Sequence, residues 1–146
     1  MPYRPHVLLV EDNPGDVRLF REALRQGNLD YDLHGVADGE EAYCYLHPPV
    51  PAAPRQPDLI VLDLNLPRLS GRELLDRIRC CQDHRDTTVV VLTSAAGERE
   101  ALIEAGLPAG AYFVKPDGFV ALIEVVENIE EYRQRVSGAG SEPVRS

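Results

Sequence analysis

The stretch "DLIVLDLNLPRLSG", residues 58–71, sets four apolar residues, Leu59 to Leu62, directly against a carboxylate, Asp63. A short apolar run bounded by turn-forming residues reads as a strand buried on both faces, as in a parallel sheet. An acid at the end of such a strand lies close to low dielectric and costs free energy unless something compensates it. One use for it is a helix cap or Asx turn. The other is a nucleophile or metal ligand at the carboxyl end of a parallel strand. This stretch alone leaves both open.

The same pattern recurs along the chain. Apolar runs stand at 7–10 (VLLV), 59–62 (LIVL), 89–92 (VVVL) and 111–114 (AYFV), and the alternating YDLHGV at 31–36 reads as an edge strand exposed on one side. Between them lie helix-period segments. NPGDVRLFREALRQG offers Asn13 as cap, Pro14 in the first turn and Gly27 as stop, with Val17, Phe20 and Leu24 on one face. DGEEAYCYL pairs Asp38 with Glu41, and SGRELLDRIRCC pairs Ser70 with Glu73, as capping boxes. A fourth helix ends at Gly106, and a fifth runs from Asp117 to about Val136. A fivefold βα alternation predicts an α/β, doubly wound (βα)5 fold. Its five-stranded parallel sheet has the order 2-1-3-4-5, with helices on both faces. Residues 1–136 are expected to form this domain. HPPVPAAPRQP at 47–57, with five prolines, reads as a stiff connection, and the tail 137–146 is expected to be disordered.

Bulk properties narrow the function. A chain of 146 residues suits one domain, and 44% hydrophobic content supports a core. The net charge of −9 argues against nucleic acid as a partner. No apolar run approaches the ~18 residues needed to span a membrane, and the first residues are too briefly apolar for a signal peptide. Cys44, Cys80 and Cys81 lack metal-ligand spacing; adjacent Cys80 and Cys81 are expected to be half-buried thiols, and a reducing cytoplasm is the simplest setting. Fourteen arginines stand beside a single lysine, Lys115. A lone lysine in so arginine-rich a chain marks a place for a compact ammonium on a flexible stem, unless it falls there by chance.

In a doubly wound sheet, ligands bind beyond the carboxyl ends of the strands, near the reversal of strand order. Strand 1 is followed by Glu11 and Asp12, strand 3 by Asp63 with Asn65 two residues on, strand 4 by Thr93 and Ser94, and strand 5 by Lys115 and Pro116. Taken singly, each is ordinary: a solvated turn, a helix cap, a surface charge. Together they converge on one rim. Two unit charges ~4 Å apart repel by about 4 kcal/mol at an effective dielectric near 20, so three carboxylates there need a proton or a cation. Oxygen ligands of this kind suit Mg2+. With Lys115 and the Thr93 hydroxyl opposite, a phosphoryl group would be neutralised on several sides, and Asp63 is the natural nucleophile for an acyl phosphate.

The four motifs LLVEDNPGD, PDLIVLDLNLPRLSG, VVVLTS and YFVKP together resemble a response-regulator receiver domain over about residues 6–136. The resemblance implies that Asp63 accepts a phosphoryl group from a sensor histidine kinase, the domain being a signalling switch rather than an enzyme. It implies that Asp12, Asp63 and the backbone carbonyl of Asn65 bind Mg2+, with Glu11 assisting through water. Glu11 replaces the more usual aspartate. Thr93 would be the switch hydroxyl, Tyr112 the aromatic that rotates inward behind it, and Lys115 the phosphate-pairing lysine. A cis bond is implied before Pro116. More finely, the first helix, the proline-bearing insertion and the segment after Asp63 look like small single-domain receivers paired with phytochrome-type histidine kinases. The arginines of the first helix, Arg18, Arg21 and Arg25, fall where receivers meet their kinase.

Few residues follow Val136, so output is expected through a docked partner or a change of assembly. On the last helix Leu122, Ile123 and Val126 are expected to face the sheet. Val125, Ile129, Tyr132 and Val136 form a second apolar stripe, expected to support a homodimer through helices 4 and 5. Two competing readings remain at this point. A phosphatase of the haloacid-dehalogenase type also uses Asp, Thr or Ser, Lys and Mg2+, but its nucleophile follows the first strand. A scaffold that keeps the receiver shape without being phosphorylated would not need every one of these residues.

Overall fold

All five apolar segments are strands, parallel at every junction and ordered second, first, third, fourth, fifth across the sheet. The computed structural model describes residues 4–47, 56–64, 71–80, 87–94, 97 and 99–141. The strands are β1 (His6–Val10), β2 (Asp32–Val36), β3 (Leu59–Leu62), β4 (Thr88–Thr93) and β5 (Tyr112–Val114). They alternate with α1 (Pro14–Gln26), α2 (Gly39–Leu46), α3 (Gly71–Cys80), α4 (Arg99–Glu104) and α5 (Phe119–Ser141), and a 3-10 turn at Ala109–Ala111 leads into β5. Every residue of β1 and β3 is buried, as continuous apolar runs covered on both faces require, whereas edge strand β2 is largely exposed.

Local chemistry places the helix starts. Asn13 Oδ1 accepts from Gly15 N at 2.8 Å and Asp16 N at 3.2 Å, and Pro14 occupies the first turn of α1. At α2, Asp38 Oδ1 accepts from Glu41 N at 2.8 Å, while the Glu41 carboxylate reaches back to Ala37 N at 2.7 Å, one residue before the expected donor. Gly106 follows α4 with φ +114°, a left-handed conformation that glycine adopts without a Cβ penalty. The Ser70 cap, Cys81 and the prolines from 48 to 54 lie outside the described residues.

The last helix departs from expectation at three points. It begins at Phe119 rather than Asp117, and it continues to Ser141, so part of the expected tail is helical. Its second apolar stripe is not a free face: Ile129 is 1% exposed and Tyr132 8%, both within the core, and Val125 packs partly buried against it. At about 100° per residue the two stripes adjoin and make one wide apolar face. The helix buries that face against α1 as well as the sheet. Val126 is buried as expected, Leu122 and Ile123 are partly buried, and Val136 alone of the second stripe is exposed.

A polar clamp adds to this packing. The Tyr31 hydroxyl donates to Glu130 on α5, and Arg133 grips both Glu130 oxygens at 2.9 and 2.8 Å. Burial alone would raise the Glu130 carboxyl, but the Arg133 and Tyr31 bonds hold it below the usual carboxylate range. If α5 is a core helix, Ile129→Ala should cost about 2–5 kcal/mol, and Val136→Ala should stay within about 0.5 kcal/mol. Urea unfolding of the two variants checks this.

Candidate functional site

Three backbone hydrogen bonds carry the sheet past its strand ends and hold the site. Glu11 N donates to Val36 O at 3.0 Å, Asp63 N to Val10 O at 3.1 Å, and Lys115 N to Thr93 O at 2.9 Å. Because Val10 pairs with Leu62, Glu11 and Asp63 leave adjacent strands side by side. Leu62, Val91 and Tyr112 lie in one row, so Lys115 starts two strands across and two residues further along than Asp63. At about 4.8 Å between strands and 3.3 Å per residue, only a long side chain spans that offset.

Lys115 does span it. Its Nζ donates to Glu11 Oε1 at 2.8 Å, to Asp16 Oδ2 at 3.2 Å and to Asp63 Oδ2 at 3.4 Å. Glu11 and Asp63 are buried at 6% and 7% exposure, and Thr93, the last residue of β4, at 0%. Glu11, Asp12 and Asp63 each place a carboxylate oxygen within 4.8 Å of the others, two from buried residues and one from an exposed one. This is a hard-oxygen set suited to a small divalent cation. One ammonium against these three acids and Asp16 leaves the rim with excess negative charge, so the donor set fits such an ion.

The electrostatics record the same imbalance. Burial pushes the Glu11 carboxyl up to about 7, the Asp63 charge adds to the rise, and the Lys115 hydrogen bond opposes it. Burial works against the Lys115 ammonium. Its hydrogen bonds to Glu11 and Asp16 and the Asp63 charge outweigh that, and its pKa lies above the usual lysine range.

The structure thus brings together Glu11, Asp12, Asp63 and Lys115, with Thr93 joined through its carbonyl to the Lys115 amide. Tyr112 is buried at 9% exposure and pairs with Val91, two residues before Thr93. Asn65 lies outside the described residues. No cis peptide bond occurs among the described residues, so Lys115–Pro116 is trans where the resemblance implied cis. Trans is the lower-energy isomer of an X–Pro bond by about 0.5–1 kcal/mol, and with it Lys115 already reaches its acids. Asp16 is a partner of Lys115 that the sequence alone does not single out. Its signal was position: the third residue of a helix starting at the rim, where an acid also suits the helix dipole.

A carboxyl whose pKa is raised in the fold from 4.5 to about 7 favours folding below its unfolded value, and that contribution is lost as pH rises through about 7. Glu11→Gln, always neutral, should therefore be more stable than the parent near pH 8 in chelator, by about 1–2 kcal/mol after discounting for solvent screening. The difference should vanish at about pH 4.5. Thermal melts at the two pH values check the sign.

Comparison with known proteins agrees with this geometry. The response regulator receiver domain family matches residues 7–127. The response regulator Rcp1 of Synechocystis sp. is 36% identical over 128 residues, covering 86% of each chain. Among solved structures, the phosphorylated cyanobacterial phytochrome response regulator RcpA superposes with a TM-score of 0.78 at 36% identity, covering 89% of this chain and 94% of its own. The Mn2+-bound form of Rcp1 gives 0.75 at 35% identity, over 88% and 93%. Acids follow both β1 and β3, and it is the receiver-family match over residues 7–127 that sets this chain apart from a haloacid-dehalogenase. By its sheet order, its acidic rim with a single lysine, and these matches, the chain belongs to the response-regulator receiver family and is related to phytochrome-associated regulators.

Proposed function

We propose that this receiver accepts a phosphoryl group on Asp63 from a phosphohistidine of a sensor histidine kinase, with Mg2+ bound at the rim, and signals by a conformational switch. The carrying observation is the buried Asp63 carboxylate beside Glu11 and Asp12, faced by the Lys115 ammonium. Glu11, Asp12 and Asp63 would hold the ion, with the Asn65 carbonyl as a further ligand. When bound, Mg2+ supplies charge neutralisation for the phosphoryl oxygens. An Asp63 oxygen forms the new P–O bond as the P–N bond to the kinase imidazole breaks, its electron pair returning to that nitrogen. Lys115 pairs with one phosphoryl oxygen, and the Thr93 hydroxyl donates to another. Because Lys115 N is bonded to Thr93 O, movement of Thr93 toward the phosphoryl pulls directly on the β4–β5 junction, where buried Tyr112 fills the space behind. The acyl phosphate is later hydrolysed to restore the Asp63 carboxylate.

The likeness to RcpA, described as phosphorylated, and to Rcp1, described as Mn2+-bound, supports this chemistry. The likeness to phytochrome response regulators favours a phytochrome-type histidine kinase as the partner and a cytoplasmic setting. Among the described residues no helix is long and apolar enough to cross a membrane. Output is assigned to docking or to a homodimer through α4 and α5. With Ile129 and Tyr132 in the core, exposed apolar surface there rests on Val114 at the end of edge strand β5, Val120 on the first turn of α5 and Val136 further along it, at 44%, 73% and 38% exposure.

Incubation with acetyl phosphate and Mg2+ should add one phosphoryl group to the intact mass. Chelator or Asp63→Asn should abolish the gain, and a gain that survives Asp63→Asn would place the acceptor elsewhere. Equilibrium sedimentation with and without phosphorylation tests the dimer, and a monomer in both states would remove it.

A further inference from the structure

The third partner of Lys115 belongs to no part of the phosphoacceptor chemistry. Asp16 stands in the first turn of α1, and its backbone N–H is taken by Asn13, which orients the helix start. Its carboxylate reaches across to Lys115 Nζ at 3.2 Å, closer than Asp63 at 3.4 Å. An ammonium has three N–H donors, and the three acids Glu11, Asp16 and Asp63 take one each. A phosphoryl oxygen can gain a bond from Lys115 only if one of these is given up. Glu11 holds the shortest of the three and sits in the acidic cluster, and Asp63 carries the phosphoryl itself. Of the two longer bonds, the one to Asp16 is the one that draws the ammonium away from Asp63 and toward α1.

We propose that Asp16 is a positioning residue that holds the Lys115 ammonium on the α1 side and so weakens its engagement with a phosphoryl group on Asp63. The inference rests on the reading of Asp63 as phosphoacceptor. Asp16 is the exposed member of the set, its side chain 42% accessible against 9% for Asp63 and 6% for Glu11. Its hold is therefore modest and reversible, the property a restraint on a switch needs. A cavity of about 100 Å³ lined by Glu11, Asp16 and Lys115 with Phe20, Phe119 and Leu122 leaves the lysine stem room to swing. The restraint also ties α1 to the end of β5, so contact of a partner with α1 would be felt at the phosphoryl site through one salt bridge.

The test uses beryllofluoride, a phosphoryl mimic, titrated calorimetrically at saturating Mg2+. Removing a competitor worth a partly exposed ion pair should tighten binding by about three- to fivefold in Asp16→Asn. Asp16→Glu, which keeps the charge, should return to the parent value. Lys115 is the single lysine of the chain, so lysine labelled with 15N at Nζ gives one side-chain ammonium signal. That signal should move in Asp16→Asn even without beryllofluoride. A purely structural role in the first turn of α1 would lower the melting temperature and move neither readout. Unchanged or weaker beryllofluoride binding in Asp16→Asn, with normal binding by the parent, overturns the proposal alone. Absence of binding by the parent overturns the phosphoacceptor reading, and the proposal with it.

Discussion

The site depends on one ammonium shared among three carboxylates at the end of a parallel sheet. Lys115 bonds Glu11, Asp16 and Asp63 from the end of β5, two strands from β3 and three from β1. Without it, two buried acids would stand side by side in low dielectric with no ammonium between them. Even with it, the charge balance is unfavourable, which is why burial and Asp63 raise the Glu11 carboxyl to about 7. A rim with this excess of negative charge suits a small divalent cation, and the chemistry proposed for it follows from that imbalance rather than from any one residue.

The rest of the fold serves to maintain the offset that Lys115 spans. Strands β1 and β3 are fully buried and pair without a slip, so Glu11 and Asp63 emerge together. A register shift of one residue would send one of the two carboxylates to the other face of the sheet. On the far side, β4 extends past β3, and Thr93 accepts the Lys115 amide where that extension ends. Thr93 on β4 and Lys115 just after β5 are thus tied by one backbone hydrogen bond, with Tyr112 three residues before Lys115. Helix α5 closes the arrangement by packing on both the sheet and α1, with Glu130, Arg133 and Tyr31 as a polar clamp at its middle.

Much of this was legible along the chain. The apolar runs around β1, β3 and β4 are unambiguous because a strand buried on both faces tolerates almost nothing else. Asn13, Pro14, Asp38 and Glu41 announce their helices because capping is a contest among neighbours in sequence. Glu11, Asp12, Asp63, Thr93 and Lys115 could be gathered to one rim because strand order follows from the alternation of elements. Where local pattern was pressed further it failed. Two apolar stripes on α5 look alike whether one faces a partner or both face the protein's own core, and only the position of α1 decides between them. The cis isomer before Pro116 is implied by the family resemblance rather than by local pattern, and it depends on a difference of about 0.5–1 kcal/mol, small enough for surrounding structure to settle either way.

The sequence by itself determined the element order, the sheet topology and which charged residues stand at the strand ends, because hydrophobic period and capping act over a few residues. Tertiary structure alone decided how those charges are shared. Asp16 and Lys115 are 99 positions apart, and no periodicity relates them. Their contact exists because α1 and β5 are set against the same rim, and the ammonium takes whichever acids the packing brings within its reach.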